Sequence, residues 1–305
     1  SAPIIPVRPY LATAFISLAI ATLLNAYLSI STALRGEFIF PSNLDDALTH
    51  LMIYGFILPM TFALSIRNLP LFMRLGSPPN RALLPILVSY VAGMLLRLGT
   101  GLEQTFGFDP STATRLAGLG ALLEGGTLLV FIWQFDVLLR RKTPWTATRV
   151  APPPGYVETR KPTRKNYPDY GEFGRFELLI LSAYAWLAFA SAVAVIDGAA
   201  SVLGNPALLN PDIERHAITV GFITLLIFGM AARMLPGFSG KARVASTRLV
   251  VATFWLGNLA ALCRVAPLLA PGVIGADIAL GSSGAIGWLA VACLAVNLWR
   301  TLRQK

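Results

Sequence analysis

Two histidines, His50 and His216, are the residues best placed to do chemistry in this chain, because a neutral imidazole can ligate a metal or carry a proton. They occupy matching positions of an internal repeat. A constant shift of 166 residues aligns His50 with His216 and also pairs Gly55 with Gly221, Phe56 with Phe222, Phe62 with Phe228, Arg67 with Arg233 and Pro70 with Pro236. Nine of the 23 positions from 50 to 72 are identical at this shift, and apolar composition alone gives about two or three. A shift of 167 pairs Arg8 with Arg175 and Arg97 with Arg264, so the duplication extends beyond the histidine segments.

The elements that must position these side chains are membrane-spanning helices. Apolar residues make up 55% of the chain and charged residues 13%, with mean hydropathy +0.64, a combination foreign to soluble domains of this size. A span needs about 20 apolar residues, and eight such stretches are present, near 10–33, 46–66, 83–101, 115–139, 176–197, 213–232, 249–270 and 279–299. The runs are too long and too continuous for barrel strands. The expected fold class is therefore all-α, a polytopic membrane bundle of eight helices arranged as two parallel four-helix repeats. Residues 1–140 form the first repeat, 141–174 a Pro-rich basic cytoplasmic linker, and 175–305 the second repeat.

The net charge of +10 is a topology signal and does not point to nucleic acid. Twenty of the 25 Lys and Arg residues lie in the N-terminal segment, the 67–82 and 233–248 loops, the 140–175 linker and the C-terminal tail. Every second loop is thus basic, which places both termini in the cytoplasm. The linker cations, among them Arg140, Arg141 and Lys142, suit anionic lipid or a cytoplasmic partner. Cys263 and Cys293 fall inside spans and read as small apolar residues.

This topology sets both histidines about one helical turn below the outer surface. Asp46 and Asp212 open their helices, where a carboxylate favours the positive end of the dipole, and the Leu-Pro pairs at 69–70 and 235–236 mark the ends. Two imidazoles at one depth on duplicated helices are a donor set for an iron porphyrin with two axial histidines. Gly55 and Gly221, five residues beyond each histidine, permit close approach of a ring or a neighbouring helix. Arg97, Arg264 and Arg215 are cations for its propionates. Glu124, in the fourth span, is a competing partner for these arginines, and Arg97 and Arg264 also read as residues that snorkel to the interface. No phosphate loop, dinucleotide fingerprint, C-x-x-C-H or zinc signature occurs.

The segment Arg215-His216-Ala217-Ile218-Thr219-Val220-Gly221, followed by Met230-Ala231-Ala232-Arg233 and Gly237-Phe238-Ser239-Gly240-Lys241, resembles the NnrS family of haem-containing bacterial membrane proteins of the nitric oxide response. The match covers 215–241, with a degenerate echo at 49–72. The resemblance implies a bacterial inner-membrane location and His216 as a metal or haem contact; the echo extends this to His50. Family members are usually longer and carry more histidines, so chemistry needing those extra ligands is not implied. The low-spin haem site of haem–copper oxidase subunit I is a more distant analogy.

The resulting expectation is a membrane b-type cytochrome carrying one haem b, ligated by His50 and His216 near the periplasmic face. With both axial positions filled it is an electron-transfer subunit and not an independent catalyst. Its expected partners are other subunits of a membrane oxidoreductase complex of respiratory or nitrogen-oxide type, a periplasmic electron donor or acceptor, and lipid. The alternatives are a cofactor-free anchor or assembly subunit, a nitric oxide-responsive haem protein, and a transporter built from parallel repeats.

Overall fold

The computed structural model of the protein describes residues 5–73, 75, 78–101, 107, 109–139 and 171–304. Most of the linker, with Arg140, Arg141 and Lys142, lies outside the described residues. The described residues form helices and no strands. Eight of the helices are long and apolar enough to cross a membrane: α1 (Arg8–Arg35), α2 (Ser42–Phe72), α3 (Asn80–Gly101), α4 (Pro110–Phe135), α5 (Phe176–Val202), α6 (Pro211–Phe238), α7 (Thr247–Leu269) and α8 (Ala276–Leu302). The chain is a multi-pass membrane protein. Large apolar side chains left exposed along α1 and α8, such as Leu23, Ile30, Trp288 and Trp299, suit lipid and would be anomalous in water.

The helix ends follow local chemistry, and several differ from the hydropathy limits. Helix α6 starts with Pro211, and the cap is Asn210, whose side chain accepts from the Asp212 amide at 2.9 Å. Asp212 lies in the first turn, as a helix-start carboxylate should. Helix α2 starts earlier, at Ser42, so Asp45 takes the first-turn position and Asp46 lies just beyond it. Pro70 and Pro236 sit inside the last turn, and both helices run two residues past them to Phe72 and Phe238.

Neither histidine helix is regular. Residues Leu51–Ile57 of α2 and Ala217–Thr224 of α6 are π-helical, and each stretch begins immediately after the histidine. The first residues of the two stretches are 166 apart, so the irregularity follows the sequence repeat. A π turn bonds i to i+5 and is rare at this length. Where it meets an α turn, carbonyls lose their usual amide, and each needs another donor. In α2 the Tyr90 hydroxyl donates to the Tyr54 carbonyl at 2.7 Å; in α6 the Thr224 hydroxyl donates to the Thr219 carbonyl at 2.9 Å.

Contacts divide the chain into two compact units. The first holds the described residues of Ser1–Asn68, Pro78–Gln134 and Ser191–Leu208. Its core contains Tyr10, Tyr90 and Phe131, with Phe62 tilted against Phe131 at 4.5 Å between centroids. Tyr10 ties α1 to α3 by donating to the Leu83 carbonyl at 2.8 Å. Helices α3 and α4 touch through Gly93 and Gly120; a Cβ on Gly93 would lie 2.8 Å from the Gly120 carbonyl.

The second unit holds the described residues of Leu69–Ser77, Phe135–Ala190 and Leu209–Lys305. Tyr184 lies at its centre, 5.8 Å from Phe135 and 5.3 Å from Phe222 by ring centroids. Helices α7 and α8 meet where Gly287 faces the Ala260 methyl, the positions 167 residues beyond Gly120 and Gly93. The same two repeat positions thus form the helix contact in each unit. At the basic end, Arg233 lies over the rings of Phe173 and Phe72, at 4.1 and 4.9 Å.

Candidate functional site

Each unit brings its histidine near its own copy of the repeated arginine, but with a different neighbour. In the first unit, His50 ends the α-helical turn before the π segment, and its ring stacks on Tyr54 at 4.3 Å with a 16° tilt. Arg97 on α3 lies 5.3 Å above the same Tyr54 ring. Its Nη1 donates to Glu124 Oε2 at 2.8 Å, and Glu124 is only 1% exposed. The other carboxylate oxygen faces His50 Nε2 at 3.8 Å, beyond hydrogen-bond length. His50, Tyr54, Arg97 and Glu124 therefore make one polar cluster within this unit, with Tyr54 and Glu124 buried and His50 and Arg97 half-buried.

In the second unit there is no such carboxylate, because the position 167 residues beyond Glu124 is Val291. Arg264 on α7 instead donates directly from Nε to His216 Nε2 at 3.2 Å. An imidazole that accepts at Nε2 is neutral and carries its proton on Nδ1. Among the described residues no carboxylate lies within ion-pair distance of Arg264. Arg215, next to His216, faces Asp212 one turn back at 3.6 Å.

The two glycines are occupied by protein. A Cβ on Gly221 would stand 2.5 Å from Cγ of Trp186, and one on Gly55 would stand 2.7 Å from Cβ of Ser17. Trp186 and Ser17 lie on α5 and α1, the first helices of the two repeats, so the glycines let each first helix approach the π segment of its second. Trp186 also donates to Asn258 Oδ1 at 3.2 Å, and Asn258 donates to Ser182 at 3.2 Å, a polar chain that the sequence reading does not contain. These residues border an apolar cavity of about 320 Å³ together with Phe189, Leu262 and Leu269.

Of the expected site residues, the structure joins His50 to Arg97 through Glu124 and Tyr54, and His216 to Arg264 directly. Among the described residues no cluster of three or more His, Cys, Asp and Glu has metal-holding geometry. The features missed from sequence are the π segments and the Trp186–Asn258–Ser182 chain. The first had a faint signal in Thr219 and Thr224, hydroxyl residues spaced by five where an α-helix pairs by four.

The second half of the chain, with His216, Arg264 and the π segment of α6, can be placed by comparison. Residues 173–305 match the family NnrS protein. The NnrS match covers all of α5 to α8 and so takes in the whole His216–Arg264 pair, well beyond the 215–241 segment. It begins near the start of the second repeat, and α1 to α4 lie outside it. No curated protein matches the chain.

Proposed function

We propose that the chain is a haem-binding protein of a bacterial inner membrane, with both termini cytoplasmic, in which His216 is an axial ligand and Arg264 the partner of a propionate. The single observation carrying this reading is the Arg264–His216 pair. His216 Nε2 accepts a hydrogen bond from Arg264 and carries no proton of its own; axial ligation requires Arg264 to release this nitrogen, which pairing with a propionate would accomplish. The guanidinium beside it has no carboxylate among the described residues, and a cation within a span calls for an anion. The residues of the second unit thus fit the group in donor type and in charge.

The first unit fits only in part. His50 offers an imidazole at the matching position of the repeat and is on that ground a candidate haem ligand. Arg97 is already neutralised by Glu124, so it is not proposed as a propionate partner. A porphyrin iron brings its own equatorial donors and one-electron chemistry when bound. The protein's part is to hold the imidazoles, to neutralise the propionates and to keep the site within apolar helices. In this reading the chain passes electrons within a larger membrane oxidoreductase complex, between a periplasmic partner and the membrane.

A second reading is a cofactor-free anchor or assembly subunit. It is favoured by the way the intramembrane polar groups already bond one another, Arg264 to His216 and Arg97 to Glu124. A visible spectrum of the purified, dithionite-reduced protein separates the two. Haem binding predicts sharp b-type bands that are lost in His216→Ala. Their loss in His50→Ala as well supports two axial histidines, and their persistence there removes His50 from the ligand set. A colourless wild-type preparation from haem-replete cells overturns the haem reading and favours the anchor.

A further inference from the structure

The basic end of the second unit contains a polar cavity of about 520 Å³, lined among others by Glu172, Arg243, Ser246, Thr247, Arg248 and Gln304. Its walls are held by specific bonds. The Asn297 side chain accepts from the Ser246 amide and donates to the Ser246 carbonyl, both at 2.9 Å. Thr301 accepts from the Ala245 amide at 2.8 Å, and the Val244 amide donates to the Glu172 carbonyl at 2.9 Å. Lys241 reaches the carbonyl of Gln304. Asn297 and Thr301 are each 1% exposed, so the 244–246 strip is anchored on a buried part of α8. A preformed pocket loses less entropy on binding than a loop that must be ordered.

The charge in this pocket is unspent. Arg243 and Arg248 are both exposed, and neither has an ion-pair partner among the described residues. Glu172 is the one carboxylate among the described lining residues, against the two guanidiniums of Arg243 and Arg248. The planar guanidinium fork suits the oxygens of a phosphate better than a compact ammonium does. Helix α7 begins at Thr247 and is a membrane span, which sets the pocket at the depth of the lipid headgroups.

We propose that this cavity binds a phosphate group through Arg243 and Arg248, and that the phosphate is carried by an anionic phospholipid headgroup. The site lies in the second unit, at the end of α7 remote from Arg264, and does not depend on haem.

The test uses the full chain purified in a neutral detergent, titrated with short-chain phosphatidylglycerol, short-chain phosphatidylcholine or inorganic phosphate, and followed by the shift in thermal denaturation midpoint. Phosphatidylglycerol is expected to raise the midpoint saturably, and phosphatidylcholine to leave it unmoved. Arg243→Gln with Arg248→Gln is expected to weaken the apparent affinity about thirtyfold, each surface cation contributing about fivefold. Arg243→Lys with Arg248→Lys keeps part of that affinity, and Glu172→Gln tightens it severalfold. Competition by millimolar inorganic phosphate assigns the site to phosphate itself; failure to compete assigns it to the lipid-borne group. Equal responses of wild type and the double Gln variant, or equal responses to the two lipids, overturn the proposal.

Discussion

Arg264 donates its Nε proton to His216 Nε2 at 3.2 Å, a charge-assisted bond between the only arginine of α7's interior and the only histidine of α6. Its repeat counterpart Arg97 turns to Glu124. The duplicated pairs have therefore come to rest on different chemistry: a neutral imidazole against a cation in one unit, a buried ion pair beside an imidazole in the other.

Removing the guanidinium from α7 should cost the strength of one charge-assisted hydrogen bond. Arg264→Ala is expected to destabilise the apoprotein by about 1.5–3 kcal/mol, read by chemical denaturation in detergent. Arg264→Lys should recover little, since an ammonium does not reproduce the Nε geometry. A lysine variant as stable as wild type would mean that charge alone matters there.

Breaking the buried pair of the first unit should cost more than removing both partners. Glu124→Leu alone removes the carboxylate to which Arg97 Nη1 donates and is expected to destabilise by about 1.5–3 kcal/mol, the strength of a hydrogen bond between charged groups that are partly buried. The double variant Arg97→Met with Glu124→Leu should be markedly milder. A double-mutant cycle gives the coupling directly, and additive single effects would show that the pair does not act as a unit.

The contact between α5 and the π segment of α6 has no room for a methyl group. Gly221→Ala would bring a Cβ to 2.5 Å from Trp186 Cγ and 2.8 Å from its Cβ, so the helix itself must move. Overpacking of this kind costs about 1–3 kcal/mol. A thermal midpoint unchanged by Gly221→Ala contradicts the close packing, and partial recovery in Gly221→Ala with Trp186→Leu supports it.

One pH effect follows from the loop before α4. Hydrogen bonds from the Ser111 hydroxyl and the Thr112 amide hold the Asp109 carboxyl well below the usual carboxylate range. A depressed folded-state pKa contributes stability that is complete above the unfolded value, about 3.9, and is lost as pH falls toward the folded one. Wild type should thus exceed Asp109→Asn in stability at neutral pH, and the gap should narrow below about pH 4. Because Asp109 is fully exposed, the gap is also expected to shrink in high salt.

The spans were legible because hydropathy reports directly on partition into lipid, and all eight were located. Their ends were less so. Helix α4 starts at Pro110 and not near 115, since Pro110-Ser111-Thr112-Ala113-Thr114 is helical by capping and proline geometry, which hydropathy does not weigh. The registers of 166 and 167 relate the two histidines to each other and the two arginines to each other, and of the arginines for which Glu124 is a competing partner in the sequence, Arg97 is the one it bonds.

Two things were not readable. The π segment of α2 depends on a donor from another helix, Tyr90, which no local pattern encodes, and that of α6 shows only the faint signal of Thr219 and Thr224. The glycines signal close approach without naming the neighbour; Trp186 and Ser17 lie on the preceding helix of each repeat, and which of its residues meets the glycine depends on how the two helices cross.

The replacement of Glu124 by Val291 across the repeat has a consequence for any attempt to make the halves alike. A chain symmetrised on its second half would hold two arginines each set against an imidazole, and one symmetrised on its first would hold two arginine–carboxylate pairs. One side-chain difference across the repeat thus decides whether its arginine rests on a carboxylate or on an imidazole.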